Sequence, residues 1–543
     1  MRAVRPHRRP GRAARHRQPP AASSRCDAGH ATRHHRRQPR AGGEDCRAAG
    51  RRRRADRGRG REAARHRLPG VSVRDVGADA RRPRCRFPCR TVGRAALCTA
   101  AVTVACAAAL GCGRAGPPPP RPHPIIIVDV DTLRADHLGC YGYQRPTSPH
   151  IDAFAREAVF FGWAFSQAPN TPPSQTSILT GLYPSTHGMV FDEDRVPDEV
   201  VTLAEALAGH GFTTAGFHDG GYMREVFGIG QGFATYDNNH GQGLKAIGPK
   251  AESWLREHAD ENFLLLIHTY DAHTPYAPPP PFDTIFMDGV PAPTPGFEPT
   301  TKQMNEVRLS KFTNHPLTLP PNDVAYAMAL YDGEIRYVDE WFGGFWKVVC
   351  DLGLDRRATV VFLSDHGEEF QEHGSVMHEK LYATVTHIPF MIRLPGGRLA
   401  RRVDAVVESV DLMPTLLELA GAPLPAGIQG SSLVPFLTGR PAAGPHAAFS
   451  ESPFFGRSRA VAFGDHHLLL NMKTGATELY DVRNDPLEQD DIAASKPPVL
   501  EIMAGLLHSW EEEVASSTVD RSGEPAPLDE ETLEQLRQLG YVQ

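Results

Sequence analysis

IIIVDVD, residues 125–131, decides how the rest of the chain is read. Four β-branched residues in a row, with nothing polar before the acids at 129 and 131, describe a strand buried on both faces. Such strands belong to parallel sheets covered by helices. Similar apolar runs recur at FLLLIHTYD (263–271), TVVFLSDHG (359–367) and IPFMIRLP (388–395). The segments between them carry helical spacing: IDAFAREAV (151–159), VVTLAEALAGHG (200–211), and a stripe of Tyr331, Ile335, Val338, Phe342, Phe345 and Val349. Strands alternating with helices predict an α/β fold, doubly wound about a mostly parallel central sheet.

In such a sheet ligands bind beyond the carboxyl ends of the strands. Three of the runs end alike: Asp129 and Asp131, then Asp271 and His273, then Asp365 and His366. One acid at a strand end is commonly a cap for the next helix. Three sets at one edge point to a metal or catalytic site, and oxygen ligands with imidazoles suit Ca²⁺, Mg²⁺, Mn²⁺ or Zn²⁺ without choosing among them. NTPPSQTSILTG (170–181) reads as a turn entering a helix, with Asn170 or Thr171 as cap and Pro173 opening the first turn. A helix N-terminus favours anions, so Thr171 has two readings, a cap or a nucleophile acting on an anion.

The 543 residues carry a net charge of −5 that averages two unlike parts. Residues 1–90 hold 28 arginines, no lysine and seven acids. A basic tail can hold nucleic acid through phosphates. This one has almost no large apolar residues, no heptads and no aromatic platform, so residues 1–91 are expected to be disordered, with no nucleic-acid partner. The composition suits translation upstream of a true start at Val92. From there VGRAALCTAAVTVACAAALGCGRAG has a basic residue, a short apolar run and small residues before Cys112, the pattern of a signal peptide over 92–112. Ala109-Leu110-Gly111-Cys112 resembles a bacterial lipobox, which makes Cys112 a lipidation candidate; a plain cleaved signal or an uncleaved anchor is the alternative. Export to the periplasm or cell envelope is expected, with the membrane met through that anchor or signal alone. Pro-rich 113–123 is a stiff linker. Of nine cysteines only Cys140 and Cys350 follow it, so no disulfide framework is expected.

Residues 124–510 resemble the sulfatase family of the alkaline-phosphatase-like superfamily. The resemblance rests on VDTLRADHLGCYGY (130–143), TPPSQTSILTGLYP (171–184), HTYDAHTPYAPP (268–279), LSDHGEEFQEHG (363–374), VDLMPTLLELAG (410–421) with GIQGSSLVPFL (427–437), and ELYDVRNDPLEQDDIA (478–493) with the closing LRQLGYV. It implies a catalytic domain over 124–440 and a smaller α+β subdomain over 441–543. It implies Asp131, Asp365 and His366 as ligands of a divalent metal, together with the Thr171 hydroxyl. His273 is the implied leaving-group acid, a role that needs a pKa near working pH. His378 or Lys380 is the cation facing the substrate anion, and Ser174 and Gln175 flank the substrate. His187 is expected to pack or cap rather than react.

The chain departs from the family at three places. Thr132 stands where a second acid commonly follows the first; Asp129 is one candidate substitute, and a strand-end acid bonded to backbone is the preferred reading of it. Thr171 stands where the family has a Cys or Ser that becomes formylglycine. Threonine cannot yield that aldehyde, and Gln175 cannot supply the charge of the family's arginine. No formylglycine is therefore expected. Superfamily members with an unmodified threonine cleave phosphodiesters or transfer phosphoryl headgroups, which implies metal-assisted hydrolysis of sulfate or phosphate esters, small or glycan-borne, with phosphodiesterase-like chemistry favoured. An envelope headgroup transferase and a non-catalytic binder of anionic glycans stay open. The Pro-rich stretch 280–321 shows no motif and leaves the substrate unread.

Overall fold

The structure, a computed structural model, describes residues 123–191, 194–239, 241–440, 446–454, 456–517 and 525–539. The Arg-rich segment, the signal-like stretch with Cys112 and nearly all of the linker lie outside them. Among the described residues no helix is long and apolar enough to cross a membrane.

Among the described residues fourteen strands form three sheets. The main sheet contains β1 (Ile125–Val130), β2 (Val159–Phe165), β3 (Thr213–His218), β4 (Thr235–Asn238), β5 (Phe263–Thr269) and β6 (Thr359–Leu363). A two-residue pair, β7 (Glu369–Phe370) with β8 (Val376–Met377), projects after it, and β9 (His387–Arg393) and β10 (Arg401–Glu408) complete the main sheet in the order β10-β2-β9-β6-β1-β5-β3-β4. All its neighbours pair in parallel except at β9, which is antiparallel to both β2 and β6. The run at 388–395, expected to resemble the parallel strands, therefore points the other way. Its apolar content is the same because it too is buried on both faces, and burial does not encode direction.

Alternation along β1 explains the two layers. Ile126, Val128 and Val130 join a core with the long helix Pro321–Asp351 and the helices Pro149–Ala155 and Leu244–Glu257. Ile125 and Ile127 join a second core with the helices Thr171–Thr180, Leu203–Ala208 and Leu412–Ala420. All six residues of the 331–349 stripe are buried. The helical reading of 151–159 overran: the helix stops at Ala155 and Val159 already starts β2. The motif-free stretch 280–321 contains a helix, Thr301–Ser310, whose Thr300 side chain accepts from Gln303 N–H and whose Met304 and Val307 are buried.

Beyond β10, strands β11 (Ala447–Ser452), β12 (Ser458–Phe463), β13 (His466–Asn471) and β14 (Thr477–Asp481) make an antiparallel sheet. The helix Pro497–Ala515 covers it through Met503, Leu507, Trp510 and Val514. A final helix, Glu530–Gln538, returns to the main body: Leu536 enters its core and Gln535 Oε1 accepts from Gly221 N–H.

Candidate active site

β1 lies between β6 and β5, all three parallel, so their carboxyl ends open on one side where the sheet order turns. Asp131 follows β1, Asp365 and His366 follow β6, and Thr171 begins the helix that covers this edge. All four are fully buried. Thr171 Oγ1 donates to Asp131 Oδ2 at 2.9 Å and lies 3.3 Å from His366 Nε2. His366 Nε2 is 3.5 Å from Asp365 Oδ2, and Ser174 Oγ lies 3.3 Å from the same oxygen. These separations are those of atoms gathered around one point.

Thr171 is not the cap. It is the first helical residue, the cap position belongs to Asn170, and Asn170 makes no capping bond with its side chain. The Thr171 hydroxyl is thereby released from capping and turned to Asp131. Ser174 Oγ donates back to Asn170 O at 2.8 Å, which ties the first turn together.

Among the described residues, Asp131, Asp365 and His366 form the one group of three such side chains whose ligand atoms all lie within 4.8 Å of one another. The chemistry of the group fits a divalent cation. Burial, followed by the neighbouring charge of Asp365, holds the Asp131 carboxyl well above its usual range, and among the described residues no group bonds to Asp131 Oδ1. Two carboxylates crowded in an apolar interior repel unless a cation joins them. His366 Nδ1 faces Gly367 O at 3.0 Å; a carbonyl only accepts, so Nδ1 carries the proton and Nε2 presents its lone pair toward Asp131 and Asp365. Gly367 is required here, since a Cβ would collide with the Thr384 carbonyl.

Thr132 supplies no further ligand: its hydroxyl donates to Asp131 O, and its backbone is left-handed at φ 56°. Asp129 is not bonded to backbone as expected; its Oδ2 accepts from Gln175 Nε2 at 2.6 Å. Burial, then the charge of Asp365, pushes its pKa up to about 8. Gln175, expected beside substrate, is fully buried and spends its amide nitrogen on Asp129. Asp271 is the strand-end acid that caps: it accepts from Leu244 N–H at the start of a helix and from Thr269 Oγ1.

The histidines gather on one side of this centre. The His378 ring is 4.5 Å from that of His366 and 5.1 Å from that of His273. Lys380 turns away, donating to His373 O at 2.6 Å with its ammonium over Tyr382, so of the two residues His378 is the one in the cluster. His273 Nδ1 faces Thr274 O at 2.6 Å and so keeps its proton there. Burial, then His378, pushes the His273 pKa down to about 3. The expected pKa near working pH is thus absent, because the ring is desolvated among other imidazoles; an anion placed beside it would raise the value. His187 is structural, as expected, accepting from Met189 N–H and lying 3.1 Å from Ser177 Oγ.

Two buried residues of this region were not singled out by sequence. His268, within β5, places Nε2 3.6 Å from Asp131 Oδ2. Glu368 Oε1 lies 3.2 Å from His378 Nδ1, and burial pushes the Glu368 pKa up to about 7. Its signal was the acid directly after Asp-His-Gly, which alone does not say where that loop returns. Arg134, buried, fixes the loop by reaching Glu372, Asp136 and Glu368 O.

The sequence profile of the sulfatase family matches residues 123–422, more than half of the chain. The chain belongs to the sulfatase family. A second profile, the C-terminal region of N-sulphoglucosamine sulphohydrolase, matches residues 371–514. An ulvan-active sulfatase of Formosa agariphila is 29% identical over 328 residues, 56% of this chain; the match spans 63% of that relative, under two thirds of its length. A structure in complex with its substrate D-glucosamine-2-N,6-O-disulfate superimposes with a TM-score of 0.63 at 20% identity, covering 74% of this sulfatase and all of that chain. The phosphonate monoester hydrolase of Silicibacter pomeroyi superimposes with a TM-score of 0.56 at 19% identity, covering 74% and 96%.

Proposed function

We propose that this sulfatase-family chain hydrolyses phosphate and sulfate esters with the Thr171 hydroxyl as nucleophile and a preference for phosphorus. The observation that carries the reading is the Thr171 hydroxyl, buried, bonded to Asp131 Oδ2 and 3.3 Å from His366 Nε2. A divalent cation held by Asp131, Asp365 and His366 supplies Lewis acidity and offsets negative charge when bound. Asp131 orients the Thr171 hydroxyl and receives its hydrogen bond. Pro172 and Pro173 carry no N–H and Ser174 N–H is bonded to Asn170 O, so what the first turn offers the anion is chiefly the positive end of the helix dipole. His378 and His273 line the side on which charge develops on the leaving oxygen. An anionic substrate raises the pKa of His273, and a proton gained at Nε2 is then available to that oxygen.

Phosphorus is favoured because the ester left on the Thr171 oxygen has no hemiacetal route by which to shed sulfate, whereas water can displace a phosphoryl group from it by attack at phosphorus and so restore the hydroxyl. The phosphonate monoester hydrolase likeness supports the same choice at the level of fold. The test is purified protein assayed with aryl phosphodiesters, phosphate monoesters and sulfate esters, with intact mass checked at Thr171. Faster turnover of phosphoesters and an unmodified threonine are expected; sulfate esters turned over faster would overturn the preference. We also read the chain as exported and lipid-anchored through Cys112.

A further inference from the structure

The helix Thr301–Ser310 comes from the stretch in which no motif is legible, yet it is laid along the imidazole side of the site. Just ahead of it Pro299 O accepts at 3.2 Å from the N–H of Tyr276, which follows closely on His273. Its buried Met304 and Val307 share a core with Tyr276, Val376 and Met377, the last directly before His378. The helix is thereby fastened to both segments that carry the rings.

What it brings there is Arg308. Two of its guanidinium nitrogens are committed: Nε donates to Asn305 Oδ1 at 2.8 Å and Nη1 donates to Glu379 Oε1. Among the described residues no acceptor meets Nη2, and the side chain is 16% exposed. A guanidinium carries its N–H groups in a rigid fork, so a carboxylate can hold it by one nitrogen while another is left for a second anion. Glu379 is suited to hold it: its side chain is 6% exposed and its carbonyl accepts from Ser452 Oγ at 3.0 Å. The charge of Arg308 reaches the site. After burial and His366, it is Arg308 that pushes the His378 pKa well below its usual value.

The other residues that could offer positive charge here are neutral or committed. Gln175 has no charge, Lys380 donates to His373 O, and Arg134 is shared among Asp136, Glu372 and Glu368 O. A histidine is charged only when protonated. We propose that Arg308, held by Glu379, is the permanent cation of the site and meets a non-bridging oxygen of the bound ester through Nη2. The ligand class is a tetrahedral oxyanion, phosphate or sulfate, free or esterified. This rests on the reading of the Thr171 centre as the place where the ester binds. Its test reads binding without turnover, so the kinetics of Thr171 variants can fail or succeed apart from it.

Inorganic phosphate is titrated into the metal-loaded protein by calorimetry, with metal content verified by elemental analysis. Arg308→Gln alone would leave the buried Glu379 carboxylate unpaired, so the deciding variant combines Arg308→Gln with Glu379→Gln. It should weaken phosphate about tenfold, the equivalent of one charge-assisted contact, with metal content unchanged. Arg308→Lys keeps the charge and should stay within about threefold of the natural protein. Equal phosphate affinity in the natural protein and the double variant would overturn the proposal, as would Arg308→Lys binding as weakly as the double variant, or no phosphate binding to the natural protein. Loss of metal from the double variant would also overturn it, because Arg308 would then shape the metal site rather than meet the ligand.

Discussion

Replacing Thr171 separates the reactive reading from the structural one. Thr171→Ala removes a hydrogen bond to a carboxylate, worth about 1.5–3 kcal/mol, and about one buried methyl, roughly 1 kcal/mol. Because the cap position belongs to Asn170, no cap is lost. The stability cost is then at most about 4 kcal/mol, which a domain of ordinary stability survives. The effect on turnover is of a different kind. A lost nucleophile costs at least about three orders of magnitude in kcat, or about 4 kcal/mol of barrier at 1.36 kcal/mol per tenfold. Thr171→Val keeps the volume and removes only the hydroxyl, so it should match Thr171→Ala in kcat with less disturbance to packing. Thr171→Ser keeps the hydroxyl and its bond to Asp131 and should retain most of the activity. The assay is steady-state turnover of an aryl phosphodiester alongside urea unfolding of each variant. Near-normal kcat in both Thr171→Ala and Thr171→Val would refute the reasoning, whatever their stability.

Asp131→Asn and Asp365→Asn should each abolish bound metal, read by elemental analysis, while raising the unfolding midpoint of the metal-free protein through relief of carboxylate repulsion; unchanged metal content in both would rule out the assigned ligands. Burial, then the charge of Asp271, pushes the Asp219 pKa up to about 7, and burial does the same for Asp411. An acid whose folded pKa is raised stabilises fully below its unfolded value near 4 and loses that contribution as pH rises through about 7. The urea midpoint of the metal-free protein should therefore fall between about pH 5 and about pH 8, and Asp219→Asn should flatten that slope; a midpoint rising with pH would contradict it. A chain started at Val92 should fractionate with membranes and Cys112→Ser should release it, whereas intact peptides from residues 1–90 in cellular protein would overturn the assigned start.

The sequence by itself determined four strands of the main sheet, β1, β5, β6 and β9, together with the helical stripe and the acids, histidine and threonine that meet at the centre. Unbroken β-branched runs report burial on both faces, and the acids at 131 and 365 end such runs wherever they pack. Position 171 was equally plain, because a double proline fixes where a helix begins. What each acid does was decided only by the tertiary structure. Asp271 and Asp131 look alike in sequence, both at the end of a strand. Asp271 meets the amide of Leu244 and becomes a cap, while Asp131 meets Thr171 and Asp365. The direction of β9 was equally hidden, since a strand buried on both faces has the same composition either way. The choice between His378 and Lys380 depended on how the short β7–β8 hairpin returns its last residues, carrying one ring onto His366 and sending the ammonium to His373 O. His268 and Glu368 escaped notice for the same reason. Their neighbours at the site, Asp131 and His378, are set by long-range packing, and no local pattern of charge or periodicity records such a meeting.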